Sequence, residues 1–300
     1  MNEIEIVEFT DPGCSWAWGT EPKLRLLRWR YGDRLRWRRV LGGLVGDMRN
    51  QVDGEWDPLR AAKRYIPYWQ EVYKHTGQTY PTKLQWMYST TDTQGKAVKA
   101  AELQSDEAGG RVLRRLREQI FVFGTPADTR ERIIDAVRGV EDLDQERFAV
   151  DLDSELAEKA FKEDWEETRR PNEYVMTLEG DWPGVGRAKN TEGHWRFVFP
   201  TIIFRGPDHE TTVPGWCPYD DYEAALEFQL PGSTDERRPD PTPEEAFATW
   251  PSLTSNELAL LCGPDAKVPD GVVSFDWGDG GPFYMTRREA SARKLKKLSV

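Results

Sequence analysis

Three features of this 300-residue sequence predict an α/β protein: strand, helix and strand within residues 4–41, a long helical block, and later strands closed by a helix. Ile4-Glu5-Ile6-Val7-Glu8-Phe9 alternates apolar with acidic residues, the period of a strand, and Asp11-Pro12-Gly13 breaks it. From about Ser15 to Tyr31 the apolar residues Leu24, Leu27 and Tyr31 recur at helical spacing until Gly32-Asp33. Leu35 to Leu41 then reads as a second strand, so the unit is β-α-β.

The next stretch is helical, with helices expected near residues 57–75, 92–104, 107–122, 126–138 and 153–169. Thr125 before Pro126, and Asp153 before Ser154-Glu155-Leu156, have the chemistry of helix starts. Residues 170–195 are rich in Pro, Gly and Asn, long for a connection inside a domain, and fit either a lid or a plain surface hairpin. Strand character returns at Phe197–Phe204 and Glu210–Val213, and Pro218 with Asp220-Asp221 opens a helix to Leu230. Residues 231–243 read as a linker. Residues 244–300 hold a short helix at Ser255–Leu261, a hairpin at Val272–Asp276 and Phe283–Met285, and a charged last helix. That tail fits a capping or dimerising element, with a winged-helix module as the alternative.

The chain is 38% hydrophobic and 12% aromatic, which excludes a disordered polymer. Its 41 basic residues are scattered among 52 acids for a net charge of −11. The basic stretches Arg25–Arg39 and Arg287–Lys297 fit exposed faces, and the balance argues against a nucleic-acid partner. No apolar run reaches the ~20 residues that a membrane helix needs. The acidic start, Met1-Asn2-Glu3, lacks the pattern of a secretion signal, so a cytoplasmic location is expected.

The cysteines Cys14, Cys217 and Cys262 and the histidines His75, His194 and His209 have no metal-ligand spacing, and no metal is expected. Cys14 stands between a strand end and a helix start, where unpaired amides and the helix dipole favour a thiolate. Pro200 interrupts a β run, a conflict that a strand-entry proline, cis in the plausible case, resolves.

The stretch Phe9-Thr10-Asp11-Pro12-Gly13-Cys14-Ser15-Trp16-Ala17-Trp18-Gly19-Thr20-Glu21-Pro22, with Gly42-Gly43-Leu44, Phe199-Pro200-Thr201 and Gly215-Trp216-Cys217-Pro218-Tyr219, resembles the DsbA-type thioredoxin-fold proteins. Within them it is most similar to the cytosolic FrnE-like and SpxH (YjbH)-like branch. The resemblance implies a thioredoxin-like domain over residues 1–230, a helical insertion at about 50–170, the 231–243 linker, and a small α+β extension at 244–300.

It also implies that Cys14 is the attacking thiol and that Phe199, Pro200 and Thr201 meet the substrate; Trp16, two residues from Cys14, is expected on the rim as a substrate contact. The family's second cysteine would stand at position 17, where this chain has Ala17. Exchange begun at Cys14 therefore needs another resolving thiol. One option is a low-molecular-weight thiol such as glutathione or mycothiol as co-substrate, with no tightly bound cofactor. A second is Cys217. A third follows the kappa-class glutathione transferases, with Ser15, Asp220 and Asp221 beside a held thiol. The competing implication is a non-catalytic adaptor of the SpxH type that binds a client protein.

Overall fold

A computed structural model of the protein describes residues 4–51, 55–180, 186–191, 193–276 and 278–294. Strand β1 (Ile4–Thr10) is followed by α1 (Ser15–Tyr31) and β2 (Leu35–Leu41). The insertion comprises α2 (Pro58–Thr76), the short β3 (Tyr80–Pro81), α3 (Asp92–Glu102), α4 (Asp106–Phe121), α5 (Arg130–Ala136), α6 (Gln145–Asp151) and α7 (Glu155–Thr168). Next come α8 (Glu173–Thr177), β4 (Lys189–Thr191), β5 (His194–Arg196), β6 (Thr201–Arg205), β7 (Glu210–Pro214) and α9 (Tyr219–Gln229). The extension holds α10 (Pro243–Thr249), β8 (Ser252–Thr254), α11 (Ser255–Cys262), β9 (Val272–Phe275), β10 (Gly278–Asp279), β11 (Phe283–Thr286) and α12 (Arg287–Ala292).

The main sheet runs β2-β1-β6-β7, with β1 parallel to β2 and antiparallel to β6. As one of the two inner strands, β1 is covered on both sides, and its side-chain alternation splits the core in two. Ile4 and Ile6 pack with Leu27, Tyr222 and Leu226, whereas Val7 and Phe9 join a larger cluster with Trp18, Trp69 and Phe121. Helix α1 survives an internal Pro22, which cannot donate to the Trp18 carbonyl. Gln78 Nε2 donates to that carbonyl at 3.5 Å instead. No described helix is long and apolar enough to cross a membrane.

Several local expectations shift. The helix expected at 126–138 starts only at Arg130, because Thr129 supplies the cap to the Arg132 N–H. Thr125 instead finishes the preceding helix, bonding Gln119 through its N–H and its hydroxyl, each at 2.8 Å. Ser154 rather than Asp153 caps α7; Asp153 pairs with Arg130 at 2.6 Å. The run Phe197–Phe204 is not one strand: β5 ends at Arg196 and β6 begins at Thr201.

The stretch 231–243, read as a linker, lies along the end of α1. Trp29 Nε1 donates to the Pro239 carbonyl at 2.7 Å, the Arg238 N–H donates to the Arg30 carbonyl at 3.0 Å, and Arg30 pairs with Asp240. The extension behind it forms an antiparallel sheet β8-β11-β9, and Leu253, Leu258 and Leu261 pack with Leu26 of α1. This packing places α11 against α1, in a capping position. The charged last helix ends at Ala292, and the basic stretch Arg287–Lys297 runs on past the described residues.

Charge is buried here to a degree that the sequence did not suggest. Arg25 and Arg39, expected on exposed faces, are each 5% exposed. Arg114 forks onto Glu257 at 2.6 and 2.8 Å and also donates to Glu118 at 2.6 Å. Arg25 donates to the Ser252 carbonyl at 2.8 Å, and Arg293 pairs with Glu118 at 2.6 Å. These bonds join α1 and α4 to the extension, so the burial of each cation depends on a carboxylate distant in sequence.

Replacing Glu257 by Ala leaves the Arg114 guanidinium buried without its bidentate partner. The expected cost is about 3–5 kcal/mol in urea unfolding. A change under about 1 kcal/mol would show that the extension contributes little to the core.

Candidate functional site

Cys14 is the N-cap of α1, with extended φ/ψ of −82° and 109°, and its Sγ accepts the Ala17 N–H at 3.4 Å. The turn before it is held by Asp11, whose carboxylate accepts from the N–H groups of Gly13 and Leu44 at 2.8 and 2.7 Å and from the Thr91 hydroxyl at 3.1 Å. A side chain at residue 13 would strike Thr91 and the Tyr88 ring, so the approach of these elements requires glycine. In the sequence Asp11 marks a strand break and belongs to the stretch that carries the resemblance, with no role of its own. Its three donors are contributed by loops that meet only in the fold.

Opposite the thiol lies the Phe199–Pro200 peptide, which is cis. The Cys14 thiol donates to the Phe199 carbonyl at 3.4 Å across 185 residues of sequence. Thr201 is fully buried, its hydroxyl donating to the Val198 carbonyl at 2.7 Å, and the Phe199 ring packs where a side chain at residue 42 would collide with it. Arg196 lies over the Phe199 ring at 4.8 Å, and Phe197 stacks on Phe9 at 4.3 Å. The fold thus brings Cys14 to the Phe199–Pro200 peptide, with Thr201 next to it at the start of β6.

The electrostatics differ from the expectation drawn from the helix start. Cys14 is 4% exposed, and burial pushes its pKa above the ordinary thiol value; the Asp11 charge adds to this, while the Ala17 N–H and Arg117 oppose it. Burial also raises Asp11, to about 6, despite its hydrogen bonds. Desolvation therefore outweighs the amide donors and the Arg117 charge at this cysteine.

Trp16, expected on the rim, is buried at 4%. Its Nε1 donates to the Tyr68 hydroxyl at 2.9 Å, and its ring meets Trp216 edge-on at 6.2 Å and His75 at 5.8 Å. Tyr68, 42% exposed, and the half-buried Trp216 occupy the outer positions. Lys23 sits 3.8 Å above the Trp216 ring, and burial lowers its pKa to about 8. Tyr68 and Lys23 were not singled out in the sequence, since α2 and the middle of α1 gave only helical periodicity. Ser15 is buried, and its carbonyl accepts the Tyr80 hydroxyl at 2.7 Å.

The structure does not bring the other sequence candidates to the thiol in the same way. Cys217 belongs to the opposite core cluster, its thiol donates to the Pro214 carbonyl at 3.2 Å, and burial raises its pKa to about 11. Asp220 and Asp221 are exposed in the first turn of α9, with Asp221 acting on Lys23 and Cys217. Cys14, Cys217 and Cys262 are all free thiols. Val175 and Ala188, from the segment expected to form a lid or hairpin, pack into the Cys14 cluster. Among the described residues no group of three or more His, Cys, Asp or Glu side chains is placed to hold a metal.

A β-α-β start, a cysteine capping the first helix, a proline-led return strand facing it and a helical insertion define a DsbA-type thioredoxin-fold protein. The chain belongs to the thioredoxin family, whose model matches residues 8–171, more than half of its length. It is similar to the ClpXP adapter protein SpxH of Shouchella clausii, 28% identical over 264 residues that cover 86% of this chain and 77% of the relative. The protein of the same name from Bacillus subtilis is 28% identical over 268 residues, covering 86% and 78%. Among solved structures, a putative protein disulfide isomerase from Nitrosomonas europaea shares the fold at a TM-score of 0.56 and 15% identity, covering 76% of this chain and 98% of that one. The cytosolic disulfide reductase DsbM from Pseudomonas aeruginosa does so at 0.53 and 20%, covering 75% and 98%.

The thiolate is the species that alkylates. Iodoacetamide labelling of Cys14, followed by mass spectrometry, is therefore expected to be slow at neutral pH and to keep rising past pH ~8.5, the ordinary thiol pKa. A rate that levels off well below that pH would show an activated thiolate.

Proposed function

We propose that this protein is a cytoplasmic adaptor that binds a client protein for the ClpXP protease, on a thioredoxin-type face that has lost its own exchange chemistry. The observation that carries this reading is the state of the cysteine. Cys14 is buried, donates its proton toward the Phe199 carbonyl, is pushed to a higher pKa and has Ala17 where a resolving thiol would stand. The naming of relatives that span most of the chain as ClpXP adapters supports it. Client contact falls to the outer aromatic group, Tyr68 and Trp216, with Trp16 beneath them and Lys23 alongside.

A second reading is kept by one observation: Cys14 remains the N-cap, with an amide donor on its sulfur. As a monothiol oxidoreductase, its thiolate would attack a disulfide, forming a Cys14 mixed disulfide and releasing one thiolate. Glutathione or mycothiol would then attack that mixed disulfide, restoring Cys14 and leaving with the bound sulfur. A kappa-class-like thiol transferase is the variant of this reading in which the small thiol is the substrate.

Reconstituted ClpXP from the same organism, offered that organism's soluble proteome, is expected to degrade a defined subset of proteins faster when this chain is present. Cys14→Ser should preserve the gain, and the double change Tyr68→Ala and Trp216→Ala should reduce it several-fold. Absence of any gain, or its loss in Cys14→Ser, would overturn the adaptor reading. Intact mass of protein purified without reductant separates the readings further, since a glutathione- or mycothiol-sized adduct on Cys14 is expected only of the second.

Ala17→Cys supplies the absent partner one helical turn on. The variant should oxidise to a bond between residues 14 and 17 and gain insulin-reducing activity that the parent lacks, as read by turbidity.

A further inference from the structure

A cavity of about 570 Å³ lies away from Cys14, where α1, α4, the α10–β8 turn and α12 converge. In a chain of net charge −11, its walls carry nine arginines and five glutamates, with no lysine or aspartate. Arg111, Arg288, Glu107 and Glu141 form its exposed rim. Inside the rim, seven arginines face Glu8, Glu21 and Glu289, with Glu118 and Glu257 buried behind the wall. Seven cations against five anions leave an excess of two positive charges.

That excess is not spread evenly. Arg114 is saturated by Glu118 and Glu257, and Arg115 by Glu289 with the carbonyls of Ala136 and Arg138. Arg28 makes no hydrogen bond or ion pair among the described residues and lies over the Trp37 ring at 3.8 Å. Arg39 donates to the Asp106 carbonyl at 2.9 Å, while its nearest carboxylate, Glu102, is 3.9 Å away and already held by Lys99 at 2.5 Å. Gly110, on the cavity wall, leaves the room that the Arg39 fork occupies.

Deeper in, Arg25 Nε, Arg117 Nε and Arg293 Nη1 are buried and make no hydrogen bond; Arg25 Nε lies 3.5 Å from Glu257, and one oxygen of the buried Glu118 carboxylate likewise makes none. Unmet buried donors are costly, and several converging on one arginine-lined cavity call for an acceptor. Burial, with the neighbouring Arg39 charge, disfavours the protonated form of Arg28 and outweighs the opposing charges of Glu8 and Glu21.

We propose that this cavity binds a small molecule bearing phosphate groups. A phosphate monoester carries about the double negative charge that matches the excess and a terminal diphosphate about one charge more, and their oxygens suit guanidinium forks; a single carboxylate supplies only one charge. The volume lies within the range of small-molecule sites. Since the walls come from the core, the insertion and the extension, the ligand ties the three together and stabilises the fold by linkage.

Titration of the full-length protein with inorganic pyrophosphate and, separately, with ADP, read by calorimetry and by thermal unfolding, tests this. Saturable binding of at least one probe is expected, with a rise in Tm and with affinity lowered roughly tenfold by Arg28→Gln, the loss of a charge-assisted contact. Arg28→Lys, which keeps the charge without the fork, should fall between. Comparable binding of the two probes assigns the site to the diphosphate group alone, and tighter binding of ADP assigns it to a nucleotide. No saturable binding of either probe to the wild-type protein, or a Tm rise matched by sodium chloride at equal ionic strength, would overturn the proposal. If Arg28→Gln fails to fold by circular dichroism, the wild-type titrations decide alone.

Discussion

The buried pairing of Arg114 with Glu257 and Glu118 is the interaction on which this architecture turns. It fixes α4 of the insertion to α11 of the extension, and Arg25 and Arg293 bond into the same group from α1 and the end of α12. Cations taken out of water must be met by carboxylates in the same volume, so the three parts of the chain are held in one register. The extension is thereby part of the core, and residues 231–243 follow α1 because both of their ends are fixed.

The same helix α1 links this ionic interior to the cysteine at its other end. Glu21, paired with Arg117, lies two turns beyond Cys14, and Arg117 also acts on the thiol. Around Cys14 the balance goes to burial: the amides of Ala17 and Trp16 and the Arg117 guanidinium oppose full desolvation and the Asp11 charge, and burial wins. A raised thiol pKa beside a retained cysteine and facing proline is the combination on which the adaptor proposal rests.

Much of the fold was legible because its signals are local. The alternation of Ile4–Phe9, the break at Asp11-Pro12-Gly13 and the helical spacing of Leu24, Leu27 and Tyr31 each declare one element. Helix starts were less secure, since Thr125 and Asp153 have the right chemistry but are bound by Gln119 and Arg130, and sequence does not rank competing acceptors. Trp16 shows the same limit at the site: its distance from Cys14 in sequence suggested the rim, yet Tyr68 from α2 and Trp216 from the β7–α9 turn enclose it.

The sequence by itself determined the order of elements, the place of Cys14 at a helix start, Pro200 ahead of a strand, and Ala17 in place of a second thiol. These follow from residue type and short-range spacing. Only the tertiary structure decided that the thiol is desolvated, that Asp11 collects three donors, and that arginines which look like a solvated face turn inward to form a charged cavity. Burial and ion pairing sum contacts from residues far apart in the chain, and no local pattern contains that sum.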